Sequence, residues 1–110
     1  MRQQIVEGLK AAGLEVRGVA TPGRLETALA DGAAGLIIEL DGIGVDGVAL
    51  VTRLRTRATS AALPIIGFCA HTRVDLIKGA RASGADKVVA RGELVRKLPD
   101  LVTAVMDQSQ

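Results

Sequence analysis

Glu39, Asp41 and Asp46 are the acidic side chains of a short stretch that passes from apolar to polar: Leu36-Ile37-Ile38-Glu39-Leu40-Asp41-Gly42-Ile43-Gly44-Val45-Asp46-Gly47. The stretch reads as a buried strand running into an acidic loop, with an Asp-Gly pair opening the next helix. In parallel α/β proteins the carboxyl ends of strands are where ligands and chemistry sit. Further along, Cys69 and His71 stand two apart at the end of another apolar run. A thiolate beside an imidazolium can act as a nucleophile or redox sensor. The plainer reading is a small buried filler and a solvated loop residue, and one Cys with one His is too few for a zinc site. Arg91-Gly92 could present a helix start to an anion. Arg53, Arg55 and Arg57 crowd one helix, where a solvated face is the default and an acidic partner or nucleic acid the alternative.

The elements that must hold these residues alternate along the chain. Residues 2–12 place Ile5, Val6, Leu9 and Ala12 on one helical face, and Gly13 follows as a C-cap. Residues 14–20 alternate like an edge strand. Thr21-Pro22 starts a helix, with Thr21 as N-cap; that helix carries Leu25, Ala28 and Leu29 and ends near Asp31-Gly32. After the strand at 36–40 comes a helix over 47–58, with Val48, Val51 and Leu54 inward. Residues 64–70 form a near-continuous apolar run, expected of a strand covered on both faces. The helix over 72–83 uses Val74, Ile77 and Ala80, Gly84 caps it, and 86–90 is a short last strand. A final helix over 92–106 points Leu94, Leu98, Leu101, Val102 and Val105 inward, with a kink or break expected at Pro99. Residues 107–110 are a polar tail. Helices between strands imply parallel pairing with right-handed crossovers.

Composition narrows the class. A chain of 110 residues makes one domain. With 48% hydrophobic and 24% charged residues it folds around a core. That core is aliphatic, because Phe68 is the only aromatic, which argues against the stacking platforms of single-strand nucleic-acid binders. A net charge of +2 is too balanced for a DNA-coating protein. One cysteine excludes an internal disulfide. No apolar run reaches the roughly 18 residues of a membrane span, and Met1-Arg2-Gln3-Gln4 lacks the apolar stretch of a signal peptide. The expectation is a soluble cytoplasmic protein.

Four features, in order, resemble the receiver (CheY-like) domain of bacterial response regulators: Ala11-Ala12-Gly13-Leu14-Glu15-Val16, the Asp46-Gly47 helix opening, Leu63-Pro64-Ile65-Ile66-Gly67, and Ser83-Gly84-Ala85-Asp86-Lys87. The resemblance implies a single flavodoxin-like domain, a parallel sheet with helices on both faces, of which four strands are recognisable. It also implies two-component signalling. In the family the phosphoacceptor aspartate lies seven positions before the Asp of Asp-Gly, which here is Glu39. A loop two residues shorter would make Asp41 the acceptor, leaving Glu39 inside an apolar strand. The hydroxyl residue at the end of the fourth strand is replaced by Cys69, and the lysine at the end of the fifth by Arg91.

The family's first strand, central in the order 2-1-3-4-5 and ending in a metal-binding acidic pair, has no counterpart at the front of this sequence. Three readings stay open: the other strands close up, a partner covers the gap, or the start is artificial. An unpaired interior edge is sticky, so self-association is expected. With the acidic pair gone, Glu39 and Asp41 are the alternative Mg²⁺ ligands, and no cofactor is the first expectation. Glu39 is one methylene longer than Asp, so an in-line position set for Asp is missed. Its fixed charge could instead stand near where an aspartyl phosphate would lie, with Arg91 pairing across the strand ends. The reading is therefore a non-enzymatic pseudo-receiver acting through protein–protein interaction by its last strand and helix, as the resemblance implies. The alternatives are a stand-alone receiver phosphorylated on Asp41 with Mg²⁺, or a small anion binder using Arg91. Residues 84–89 also resemble strand entries of phosphate-binding (β/α)₈ barrels, for which the chain is too short.

Overall fold

In the computed structural model, residues 2–11, 13, 22–42, 46–57 and 60–108 are described. Among the described residues, five helices and three strands follow one another: α1 (Arg2–Ala11), α2 (Pro22–Ala30), β1 (Leu36–Glu39), α3 (Gly47–Thr56), β2 (Ile65–Cys69), α4 (Val74–Ser83), β3 (Lys87–Ala90) and α5 (Arg91–Gln108). The strands pair in parallel in the order β1-β2-β3. The expected strand at 14–20 and the Thr21 cap lie outside the described residues.

β2 is the centre of the sheet, and all five of its residues are buried. Alternation sends its side chains to two separate cores. Ile65 and Cys69 join Leu29, Ile38, Leu40, Val51, Leu54, Ala80 and Val88 on the side of α2, α3 and α4. Ile66 and Phe68 join Ile5, Leu9, Val89, Leu94 and Leu98 on the side of α1 and α5. A strand covered on both faces explains why 64–70 has no polar alternation.

The sheet's amino-terminal edge is fastened by one cation. The Arg55 guanidinium of α3 donates to the carbonyls of Gly84 (2.8 Å), Ala61 (2.9 Å) and Leu63 (2.6 Å), and to Asp86 Oδ2 (2.8 Å). That same Asp86 oxygen accepts the Ile65 N–H at 2.7 Å, while the Asp86 N–H donates to the Ile65 carbonyl at 2.9 Å. Arg57 pairs with Glu26 of α2. The basic patch expected on this helix is thus largely used up inside the fold: Arg55 and Arg57 have intramolecular partners.

Local chemistry accounts for several element boundaries. Gly84 ends α4 at φ +115°, a left-handed cap that a Cβ disfavours. Asp46 caps α3 by accepting the Ala49 N–H at 3.0 Å. Gly47 follows for want of room: a Cβ there would lie 2.5 Å from Leu40 Cα. α5 breaks its helical geometry at Lys97 (φ −114°, ψ 17°), two residues before Pro99, as the missing proline N–H and the ring's steric demand require. Among the described residues, the inward assignment of Val74 fails. α4 begins at Val74 rather than 72, so Val74 sits in an open first turn at 51% exposure, and Leu76 packs instead.

Two glycine substitutions separate crowding from flexibility. Gly47→Ala should cost about 2 kcal/mol or more, the range of overpacking against backbone, read as a lower urea midpoint. Gly92→Ala, where a Cβ meets nothing within 4 Å, should stay within about 0.5 kcal/mol of wild type.

Candidate functional site at the carboxyl ends of the strands

The parallel register sets Glu39 beside Phe68, and Phe68 beside Val89. Residues two apart on a strand share a face, so Glu39 follows Ile37 onto the side of α1 and α5. β3 passes directly into α5, so Arg91 is both the residue after the strand and the first of the helix. Its guanidinium lies over the Phe68 ring, 5.5 Å from the centroid, a favourable cation–π placement.

From there Arg91 Nη2 donates to Glu39 Oε2 at 2.9 Å and to Asp41 Oδ1 at 2.7 Å. The other oxygen of Asp41, Oδ2, accepts the Ala70 N–H at 2.9 Å. The last backbone bond between β1 and β2 is Leu40 N–H to the Phe68 carbonyl, at 2.8 Å. Asp41 therefore closes the sheet by a side chain where the ladder stops. Three chain segments meet here: the β1–α3 loop, the β2–α4 loop and the start of α5.

The two carboxylates are not equivalent. Glu39 is 44% exposed, and a pair so placed contributes little, about 0–1 kcal/mol. Asp41 is only 12% exposed and is held from two sides by donors, where charged hydrogen bonds are worth about 1.5–3 kcal/mol each. Desolvation pushes its carboxyl pKa up, but the Ala70 N–H and the hydrogen bond and charge of Arg91 outweigh it, and the net shift is downward. Arg91 is shifted upward by its bonds to Asp41 and Glu39.

The resemblance implied the acceptor-equivalent place for Glu39 with Asp41 as alternative, and the structure brings both onto Arg91. The objection that Asp41 would force Glu39 to be buried does not apply, since Glu39 ends the strand and opens to solvent. Cys69 points into the opposite core, fully buried, with its thiol directed at the Arg73 carbonyl at 3.9 Å. Burial, then the Asp41 charge, push that thiol's pKa up, which disfavours the thiolate. His71 is exposed.

An open depression beside Asp41 is lined by Leu40, Gly42, Asp46, Arg73 and Leu76. Asp46 is engaged as the α3 cap, and Arg73 is paired with Asp75 through two bonds of 3.2 Å. Among the described residues no three metal-ligating side chains cluster. The donor set does not fit a divalent ion as it stands, because Arg91 already supplies the cation between Glu39 and Asp41. Two contributors escaped the sequence reading: Phe68, which supports the guanidinium, and the Ala70 N–H. The alternation of β2 could have placed Phe68 opposite Cys69 and so on the side of Glu39.

No family model and no curated protein sequence matches this chain. Solved structures do. A putative response regulator from Chloroflexus aurantiacus aligns with TM-score 0.79 and 22% identity over 96% of this chain and 90% of that one. The receiver domain of NtrX from Brucella abortus gives TM-score 0.82 and 20% identity over 96% and 89%. The BeF3-activated receiver domain of nitrogen regulatory protein C gives 0.75 and 24% over 99% and 87%. The likeness establishes the fold: flavodoxin-like, with the parallel sheet and flanking helices of receiver domains. No helix among the described residues is long and apolar enough to cross a membrane.

The downward shift of Asp41 sets an acid dependence. Stability from a lowered carboxyl is complete above the unfolded pKa of about 3.9 and is lost as pH falls through the folded value. Asp41→Asn should lower the melting temperature at pH 7, and the gap to wild type should narrow steadily below about pH 4. Melting temperatures across pH 2–7 check this.

Proposed function

We propose that this chain is a receiver-type module of two-component signalling that acts through protein contacts, with its strand-end site held by an internal ion triad instead of a transferred phosphoryl group. The observation that carries this reading is the convergence of Glu39 and Asp41 on one nitrogen of Arg91. An acceptor carboxylate must be free to meet a donor phosphorus in line, with a cation held for the developing charge. Here the acceptor-equivalent residue is a glutamate, one methylene too long, and the cation is already committed to it. Cys69, in the place of the switch hydroxyl, is buried and directed at a carbonyl, not at the site.

The fold supports the signalling class. The matched receiver of nitrogen regulatory protein C is described in a BeF3-activated state. In this chain the fixed charges of Glu39 and Asp41 would hold Arg91 in the manner that an added group holds a receiver's switch residues. Because Arg91 is the first residue of α5, the pull of the triad is delivered to β3 and α5, and these are the elements assigned to the protein partner or to a second copy. The module is then non-enzymatic, needs no metal, and belongs in the cytoplasm with the kinases and outputs of such systems.

One observation favours a second reading. Asp41, unlike Glu39, borders the open depression, and a phosphodonor with Mg²⁺ could approach it from that side. Incubation with acetyl phosphate and Mg²⁺, followed by intact mass, separates the two. The expected result is no adduct. A hydroxylamine-sensitive gain of one phosphoryl group, lost in Asp41→Asn, would replace the non-catalytic reading by an active receiver. Light scattering across a concentration series tests the second-copy contact: mass should rise with concentration, and a constant monomer mass would remove it.

A further inference from the structure

We infer that the outer stripe of α4, where Val74, Lys78 and Arg81 stand beside the open edge of β3, docks an acidic protein segment that carries an apolar side chain. The inference rests on the proposed function and deepens it, giving the chemistry of the protein partner.

Val74, Lys78 and Arg81 follow at i, i+4 and i+7 on α4, and all three are exposed, so they share one side of the helix. That side is not the one turned to α3. Gly79 faces α3, where an added Cβ would meet Val48 at 3.2 Å, and the stripe lies about 100–160° round the helix from it. Ala80 points into the core. The stripe therefore opens away from α3, on the flank of β3, which pairs with β2 alone among the described residues.

Two properties coincide there. Val74 is the one large apolar side chain left exposed among the described residues. The cations near it in the chain are uncompensated. Residues 73–97 hold seven basic and three acidic side chains, a net of +4 where the whole chain has +2. All three acids are engaged: Asp75 with Arg73, Asp86 with Arg55 and Glu93 with Lys97. Lys78, Arg81 and Lys87 have no carboxylate partner among the described residues. A second copy docked isologously would set these cations against their own kind, and a lysine on an edge strand discourages a further strand from pairing. Single-stranded nucleic acid would find no ring to stack on, since Phe68 is buried. An acidic segment with an apolar anchor suits both the charge and the valine.

The test titrates the full chain into a fluorescein-labelled peptide of repeated Glu-Glu-Leu and reads anisotropy. A saturable rise is expected, weakening as salt is added. Lys78→Glu/Arg81→Glu should weaken binding by about tenfold or more, and Val74→Ala by about threefold. Arg53→Glu, an equal change of charge per residue on α3, should leave it within about twofold of wild type. All four positions are exposed, so the variants should melt with the wild type. A peptide of repeated Lys-Lys-Leu should not bind. Absence of a saturable rise, or an Arg53→Glu loss as large as that of the α4 variant, overturns the inference. Tighter binding of a labelled oligonucleotide than of the acidic peptide makes the surface one for nucleic acid and overturns it too. So does a concentration-dependent mass that Lys78→Glu/Arg81→Glu abolishes, which would make a second copy the occupant. The two readings fail separately: a phosphoryl adduct would end the non-catalytic reading and leave peptide binding untouched, while failure to bind the peptide would leave the adduct test untouched.

Discussion

The guanidinium of Arg55 ties together segments that the chain order keeps far apart. Its four bonds reach the loop after α3, the cap of α4 and the residue that leads into β3. Through Asp86, which exchanges backbone and side-chain bonds with Ile65, it fixes how β2 and β3 begin beside each other. In a parallel pair a slip of one residue would send every side chain to the wrong face. Such a slip would move Cys69 and Phe68 between the two cores and take the platform from beneath Arg91. The alignment needed at one end of the sheet is thus enforced at the other.

Two arginines consequently divide the work. Arg55 faces three carbonyls and one carboxylate and serves the amino-terminal edge. Arg91 faces two carboxylates and a ring and serves the carboxyl-terminal edge. Both use the planar, multi-donor shape of the guanidinium, which a lysine cannot reproduce. Between them run strands made mostly of aliphatic residues, whose packing is non-directional and could tolerate several arrangements. The directional bonds at the two ends supply what that core lacks: a single register.

Much of the architecture was legible because it rests on local rules. The fully apolar run at 65–69, the Asp46-Gly47 helix start, the Gly84 cap and the proline-induced break in α5 each follow from the preferences of a few neighbouring residues. The resemblance put Glu39 near a strand end, where the structure has it, and its pairing with Arg91 was foreseeable from their places at strand ends on the same side of the sheet. The share of Asp41 was not. Its grip on Ala70 depends on where the loop turns after β1, which no periodicity encodes. Arg55 was misread for the same reason: on its own helix it resembles a surface charge, and only its contacts with the loop after α3 and with residues some thirty positions away reveal it as half-buried. Val74 was misplaced because an apolar residue in an initial helical turn has no earlier turn to fix its face.

The placement of Phe68 has a practical side. The chain contains no tryptophan or tyrosine and no other phenylalanine, so a single ring generates all of its side-chain aromatic magnetic anisotropy, His71 apart. That ring lies directly beneath the guanidinium that joins the three strand-end segments. Ring-current displacement of the Arg91 methylene protons is therefore an almost private signal, free of the overlapping shifts that crowd most proteins of this size. Nature has left this molecule with its own spectroscopic probe, already seated under the residue whose position matters most.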